Sequence, residues 1–114
     1  MHEFSIAMSI IEIAETEARS ANSEKILSLE LTVGTMAGIE FYALDTALEM
    51  AVKNTLLENS EIVVNKVQAI AKCTDCSNEF EINAITDECP VCNCLFSDVI
   101  SGKEFKIKSL VIEE

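Results

Sequence analysis

The chain has 114 residues, enough for one compact domain or for a small domain that carries a smaller module. Twenty Asp and Glu residues against eight Lys and Arg residues give a formal net charge of -12, which disfavours nucleic acid and suits a basic partner or a cationic cargo. No segment reaches the roughly 18 apolar residues of a membrane-spanning helix, and acidic residues interrupt the amino-terminal stretch too early for a signal peptide. We therefore expect a soluble, cytoplasmic protein.

The first predicted element is an amphipathic helix near the amino terminus. Apolar residues recur there at steps of three and four, as on one face of a helix: Phe4, Ala7, Met8, Ile11, Ala14 and Ala18. Glu3 or Ser5 can cap the start of this helix, and the segment 20–23 ends it.

A strand and a second helix follow. In KILSLELTVG the residues Leu27, Leu29, Leu31 and Val33 alternate with polar residues, which predicts a half-buried strand. A turn lies between Gly34 and Gly38. The next apolar residues have helical spacing, and they predict a helix that ends near residues 54–59: Phe41, Leu44, Leu48, Ala51 and Val52.

Two further strands are predicted in the second half of the chain. One covers residues 61–72, with a bulge near Lys66, and the other lies in KEFKIKSLVIEE, after the turn at Ser101 and Gly102. The stretch between them, from Cys73 to about Val99, is too short to hold a hydrophobic core of its own. Another source of stability is therefore needed there.

All five cysteines lie in this stretch. Cys73 and Cys76 form one Cys-x2-Cys pair, and Cys89 and Cys92 form a second, with residues 77–88 between them. Each such turn places two sulfurs at the separation of two corners of a tetrahedron around Zn(II), so the spacing predicts a structural zinc site. Disulfides, a redox-active pair and an iron site are the alternatives. A cytosolic setting disfavours disulfides, and neither pair has the βαβ context typical of a thioredoxin-like site.

A shell of four thiolates leaves no position for water or substrate, so the predicted zinc site stabilises the fold and does not catalyse a reaction. Cys94, the fifth thiol, is either a free cysteine beside the site or a regulatory or substitute ligand. Ser77 and Asn93 follow the two pairs, where such turns favour a left-handed backbone, so we expect some strain at Ser77.

These observations predict an α+β fold, in which two helices pack on a three-stranded sheet and a four-cysteine zinc-ribbon module is inserted between strands. The expected domains are residues 1–70 plus 101–114, and residues 71–100.

The only histidine of the chain is His2. The Met1 amine, the His2 amide nitrogen and one imidazole nitrogen of His2 can chelate a single metal ion, and Glu3 can add an oxygen or backbone donor. Such nitrogen-rich ligation suits Ni(II) and Cu(II). The residues alone also allow a solvated chain end without a metal.

The chain resembles one known family over essentially its whole length. The resemblance rests on the start MHEFSIAMSI, the segment LTVGTMAGIE, the pairs CTDC and CPVC, and the end ISGKEFKIKSLVIE. That family is the HypA family of hydrogenase-maturation nickel metallochaperones. The resemblance implies nickel ligation by His2, with the Met1 amine and Glu3 contributing. It implies zinc ligation by the four paired cysteines, Cys73, Cys76, Cys89 and Cys92. The domain of residues 1–70 plus 101–114 would then bind nickel, and residues 71–100 would bind zinc.

The resemblance also implies a function and partners. The expected function is non-enzymatic delivery of Ni(II) to apo nickel-iron hydrogenase. The expected partners are a HypB-type GTPase and the hydrogenase large subunit, with urease maturation as a second client in some bacteria. Apart from the resemblance, the charge and hydropathy predict no nucleic-acid or membrane partners, and we expect a monomer or weak homodimer. Two other functions stay open: a zinc-ribbon protein-protein adaptor without nickel transfer, and a thiol oxidoreductase that uses Cys94. Cys94 and the non-glycine residues Ser77 and Asn93 depart from the family pattern.

Overall fold

The computed structural model describes residues 3–114, so the predictions for Met1 and His2 concern residues outside that range. Two helices and six strands follow one another along the chain: α1 (Glu3–Ser20), β1 (Ile26–Gly34), α2 (Phe41–Ala51), β2 (Glu61–Val67), β3 (Ile70–Cys73), β4 (Glu79–Glu81), β5 (Ser97–Ser101) and β6 (Phe105–Ile112). The strands form two sheets with the orders β2-β1-β6 and β4-β3-β5. The predicted α+β class, with two helices, a three-stranded sheet and a cysteine module, is confirmed.

Helix α1 buries a narrow stripe of mostly small residues: Ala7, Ile10, Ile11, Ala14 and Ala18. The prediction that Phe4 and Met8 belong to the buried face was wrong, because they are 51% and 48% exposed. At about 100° of rotation per residue, both lie on the same flank of the stripe, and Met8 is roughly 100° from its centre. Periodicity therefore located the helix correctly. The face that is actually buried is rotated away from Phe4 and Met8 and toward Ile10.

Strand β1 alternates as predicted from its middle onward, and Leu29, Leu31 and Val33 are fully buried. At its start Ile26 is buried and Leu27 is 44% exposed, so the expectation for Leu27 was wrong. The backbone N–H of Ile26 donates to the Leu56 carbonyl, which holds the strand start beside the segment that follows α2.

Helix α2 begins after Glu40, whose side chain caps it. One Glu40 carboxylate oxygen accepts a hydrogen bond from the Ala43 backbone N–H at 2.6 Å, satisfying one of the free donors of the first turn. The helix buries Leu44, Ala47, Leu48 and Ala51.

The single strand predicted over residues 61–72 is two strands, β2 and β3, which belong to different sheets. The break falls at Gln68 and Ala69, where the Ala69 N–H donates to the Thr35 hydroxyl at 2.9 Å and the Ala69 carbonyl accepts from Ile82. Ala69 also lies against Gly102, where an added Cβ atom would be 2.2 Å from the Ala69 Cα. These long-range contacts redirect the chain from one sheet to the other.

The chain folds into two compact units. The first comprises Met1–Leu31, Ile39–Val64 and Ile107–Glu114, and the second comprises Thr32–Gly38 and Asn65–Lys106. The second unit therefore includes the whole 71–100 segment together with additional residues. Its own core consists of Ala69, Ala71 and Ile82, with Met36, Phe80 and Val99 packed against them. Within residues 3–114, no helix is long and apolar enough to cross a membrane.

Candidate metal centre

Four cysteine sulfurs meet in the second unit. The Sγ atoms of Cys73, Cys76, Cys89 and Cys92 all lie within 4.8 Å of one another. The Cys73–Cys92 pair is separated by 3.5 Å and the Cys76–Cys89 pair by 3.6 Å. A tetrahedral zinc with Zn–S bonds of about 2.3 Å requires sulfurs about 3.8 Å apart. The four side chains therefore fit one zinc ion, although zinc ligation itself stays a prediction.

The first pair is held by the end of β3 and the turn that follows it. The Cys73 N–H donates to the Asn78 carbonyl at 2.9 Å, and the Ser77 N–H donates to the Cys73 carbonyl at 3.1 Å. Ser77 has a φ of 64°, in the left-handed region that favours glycine. The expected left-handed backbone at this position is confirmed.

The second pair repeats this arrangement. The Asn93 N–H donates to the Cys89 carbonyl at 2.8 Å, and the Cys89 N–H donates to the Cys94 carbonyl at 3.0 Å. Asn93 has a φ of 63°. Two similar turns, one after β3 and one before β5, thus present two sulfurs each.

Backbone N–H groups point at the sulfurs and favour thiolates. Cys73 Sγ accepts from the N–H groups of Asp75 and Cys76 at 3.4 and 3.5 Å, and Cys89 Sγ accepts from the Val91 N–H at 3.4 Å. The hydrogen bond from the Cys76 N–H is the main cause of a lowered pKa at Cys73. These donors prepare the site for a cation that requires deprotonated sulfur.

The thiols nevertheless cannot all ionise without a cation. Burial raises the pKa of Cys89. Hydrogen bonds from the N–H groups of Cys92 and Val91 and from the neighbouring thiols together outweigh burial and lower the pKa to about 6. A hydrogen bond from the Cys94 N–H lowers the pKa of Cys92. The neighbouring Cys73 thiol, burial, and the thiols of Cys76 and Cys89 outweigh this bond, so the pKa of Cys92 is raised to about 12. A divalent cation removes this conflict because it stabilises four adjacent thiolates together.

Cys94 is not a member of the four-sulfur group that the described residues form. Its Sγ accepts a hydrogen bond from the Phe96 N–H at 3.4 Å, while its carbonyl accepts from Cys89. The backbone of Cys94 thus completes the second turn, and its thiol lies half-buried on the carboxyl side of that turn.

Of the predicted nickel ligands, only Glu3 lies within the described residues. It is the first residue of α1, and its carboxylate Oε2 accepts a hydrogen bond from the Glu40 N–H at 3.3 Å. The same unit has a groove beside Glu3 that is lined by Phe4, Tyr42 and Met50, among other residues. Sequence periodicity missed this groove because it assigned Phe4 to the buried face.

Comparisons with known proteins place the whole chain in one family. A family model described as "Hydrogenase/urease nickel incorporation, metallochaperone, hypA" matches residues 1–112. The chain is 36% identical to hydrogenase maturation factor HypA of Parabacteroides distasonis over 114 residues, which cover 100% of this chain and 99% of that relative. It is 39% identical to the HypA of Chlorobium limicola, covering 100% of this chain and 98% of that protein.

Solved structures agree in fold. The chain is similar to the solution structure of the Ni metallochaperone HypA from Helicobacter pylori, with a TM-score of 0.66 and 24% identity over 98% of this chain and 97% of that one. A second HypA solution structure has a TM-score of 0.68 at 23% identity, covering 99% of this chain and 97% of its own. The sequence matches and the shared fold lead to one assignment: this chain belongs to the HypA family of nickel-incorporation metallochaperones.

Proposed function

We propose that this chain binds Ni(II) through the Met1 amine, the His2 side chain and Glu3, and delivers the ion to apo nickel-iron hydrogenase during maturation. The observation that carries the proposal is the nickel-incorporation family match, which extends over residues 1–112 and so includes all three ligands. Urease maturation is a second candidate use of the same nickel site, because the family description names both processes.

The chemistry of the amino-terminal residues supports this proposal. An amine, an amide nitrogen and an imidazole form a nitrogen-rich donor set, and such sets favour Ni(II) and Cu(II) over Mg(II) or Ca(II). Glu3 adds a carboxylate that is held at the start of α1 by the Glu40 N–H. A site built from so few side chains can release its ion to a partner more readily than a closed protein cage.

The four-cysteine site has the opposite character. Four thiolates fill the tetrahedral coordination of zinc, so no position is left for water or substrate, and a bound zinc would stabilise the second unit. Free energies on the order of 10 to 16 kcal/mol accompany structural zinc binding in small modules at neutral pH. We therefore propose a resident zinc and a mobile nickel in one non-enzymatic protein.

The proposed partners follow from this function. They are a HypB-type GTPase and the large subunit of nickel-iron hydrogenase, and in some bacteria the urease maturation proteins. The chain would work in the cytoplasm as a monomer or weak homodimer.

The test is a nickel titration of untagged protein, followed by mass spectrometry for both metals. We expect one zinc per chain before the titration and one added nickel after it. Two changes, His2→Ala and a peptide tag on Met1, should abolish nickel binding and preserve the zinc content. Nickel binding that survives both changes would refute the ligand set. A protein that binds zinc but never nickel would instead be a zinc-ribbon adaptor.

A further inference from the structure

Three large apolar side chains are exposed beside the second cysteine pair. Val91, Leu95 and Phe96 are 68%, 57% and 74% exposed, and they lie within six consecutive residues of the chain. We call these three residues the knuckle patch. Isolated exposed apolar residues are normal on protein surfaces, but a group of them often marks an interaction site.

The knuckle patch does not belong to the core of its own unit. That core is formed by Ala69, Ala71 and Ile82, against which other side chains pack, and none of the three patch residues is among them. Val91 occupies a position between Cys89 and Cys92 where the turn itself requires no apolar side chain. The exposed apolar surface therefore has no evident role in folding the unit.

The backbone that carries the patch is well held. The Phe96 carbonyl accepts hydrogen bonds from the Thr74 N–H at 3.1 Å and the Thr74 hydroxyl at 2.8 Å. The Phe96 N–H donates to Cys94 Sγ, and the Val91 N–H donates to Cys89 Sγ. A fixed backbone lowers the entropy that a surface loses when it binds a partner.

The charged side chains of the segment that carries the knuckle patch are all of one sign. Residues 73–99 contain six carboxylates and no Lys, Arg or His: Asp75, Glu79, Glu81, Asp87, Glu88 and Asp98. All of these side chains except the half-buried Asp87 are exposed. Four thiolates around one Zn(II) would add a net charge of about -2. Lys72 is the basic residue just before the segment, and it pairs across the strands with Glu79 and Asp98.

We propose that the knuckle patch docks a basic, apolar segment of a partner protein, such as an amphipathic helix with Leu or Phe flanked by Lys or Arg. The apolar side chains would bury those of the partner, and the carboxylates would attract its cationic rim. Nucleic acids and anionic membranes carry the wrong charge for this surface. The proposal goes beyond nickel carriage and does not depend on the nickel ligands, so either can fail without the other.

The test uses the full-length, zinc-loaded, 15N-labelled protein and three synthetic peptides of 18 residues. One is an amphipathic Lys–Leu helix, one has Glu in place of Lys, and one has Ser in place of Leu. We expect the Lys–Leu peptide to shift the amide resonances of residues 91–96, with binding that weakens as salt is added. The Lys–Ser peptide should bind at least tenfold more weakly, and the Glu–Leu peptide should not bind.

Variants separate the patch from general charge attraction. The combined Val91→Ser, Leu95→Ser and Phe96→Ser variant should bind the Lys–Leu peptide at least tenfold more weakly while retaining one zinc per chain. Phe96→Ser alone should weaken binding at least threefold, which provides a test if the combined variant does not fold. The control variant Ile13→Ser removes an apolar side chain of α1 that is 53% exposed, close to the 57% of Leu95, and should bind normally.

Three results would overturn the proposal. The first is an unchanged affinity in both patch variants. The second is a set of shifts centred on α1, whose exposed side chains include Glu12 and Glu17. The third is sedimentation evidence that the wild type is a dimer and the combined variant a monomer, because the patch would then bind a second copy of this chain.

Discussion

Glu3 and Glu40 are joined by a hydrogen bond from the Glu40 backbone N–H to Glu3 Oε2, 3.3 Å long. The Glu40 carboxylate in turn caps α2 through the Ala43 N–H. Two carboxylates therefore lie near the start of α2, and one of them belongs to a proposed nickel ligand. The contact links the residue beside His2 to a helix about 40 positions later in the chain.

Two substitutions of Glu3 separate its charge from its hydrogen bond. Glu3→Gln retains an acceptor for the Glu40 N–H, so we expect normal urea unfolding. We expect its nickel affinity to be about tenfold lower, which corresponds to a loss of about 1.4 kcal/mol of binding free energy. Glu3→Ala should lower nickel affinity similarly and also lower unfolding stability by about 1 kcal/mol, because the acceptor is lost. Calorimetric nickel titrations would measure the affinities, with Glu17→Gln as the control on the same helix. If nickel affinity were normal in both Glu3 variants, Glu3 would have only a structural role.

Nickel affinity should fall as the pH is lowered. The free amine has a reference pKa of about 7.7 to 8.0 and histidine one of about 6.5, and both must be deprotonated to bind the metal. With these reference values both groups are mainly protonated below pH 6, so protons are expected to compete with nickel at two ligands there. Isothermal titrations between pH 8 and pH 5 would measure the trend. Tight binding that persisted unchanged at pH 5 would exclude these two ligands.

Removing zinc should unfold the cysteine module first. Without the metal, the amide signals of β3, β4 and β5 should lose their dispersion in NMR spectra, whereas those of α1 and α2 should persist. Cys89→Ser should reproduce this loss. Cys94→Ser is the matched control and should retain one zinc per chain, because Cys94 is outside the four-sulfur group. Zinc loss in the Cys94 variant would show that the fifth thiol is a ligand.

Gly102→Ala should destabilise the protein strongly. Gly102 has a φ of 100°, and its added Cβ atom would lie 2.2 Å from the Ala69 Cα. Since both backbone strain and a backbone clash result, we expect a loss of about 3 kcal/mol or more. Gly38→Ala is the control: Gly38 also has a positive φ, 81°, and its strain alone should cost about 1 to 2 kcal/mol. Urea unfolding of the zinc-loaded variants would measure both, and equal losses would show that the approach of Gly102 to Ala69 is unimportant.

The features predicted correctly from the sequence are those with local causes. Helical spacing located both helices, alternation located β1, and the geometry of a Cys-x2-Cys turn predicted the left-handed backbone of Ser77 and Asn93. The four paired cysteines come together as their spacing indicated.

The features that were missed depend on distant residues. The division of 61–72 into two strands follows from the bond between Ala69 and Thr35, which are 34 positions apart. The exposure of Phe4 and Met8 depends on which side of α1 faces the core, and a short apolar stripe with small residues does not fix that rotation. The Glu3–Glu40 contact likewise joins two helix starts that no local pattern connects.

The most direct test of the nickel-carrier function is a transfer experiment. Untagged protein loaded with radioactive Ni(II) is mixed with the apo large subunit of nickel-iron hydrogenase and the GTPase, and the metals of each protein are counted after separation. We predict that nickel moves to the large subunit while zinc remains with this chain, and that His2→Ala protein transfers none. Nickel that stays on this chain, or that moves equally well from the His2→Ala protein, would contradict the nickel-carrier function.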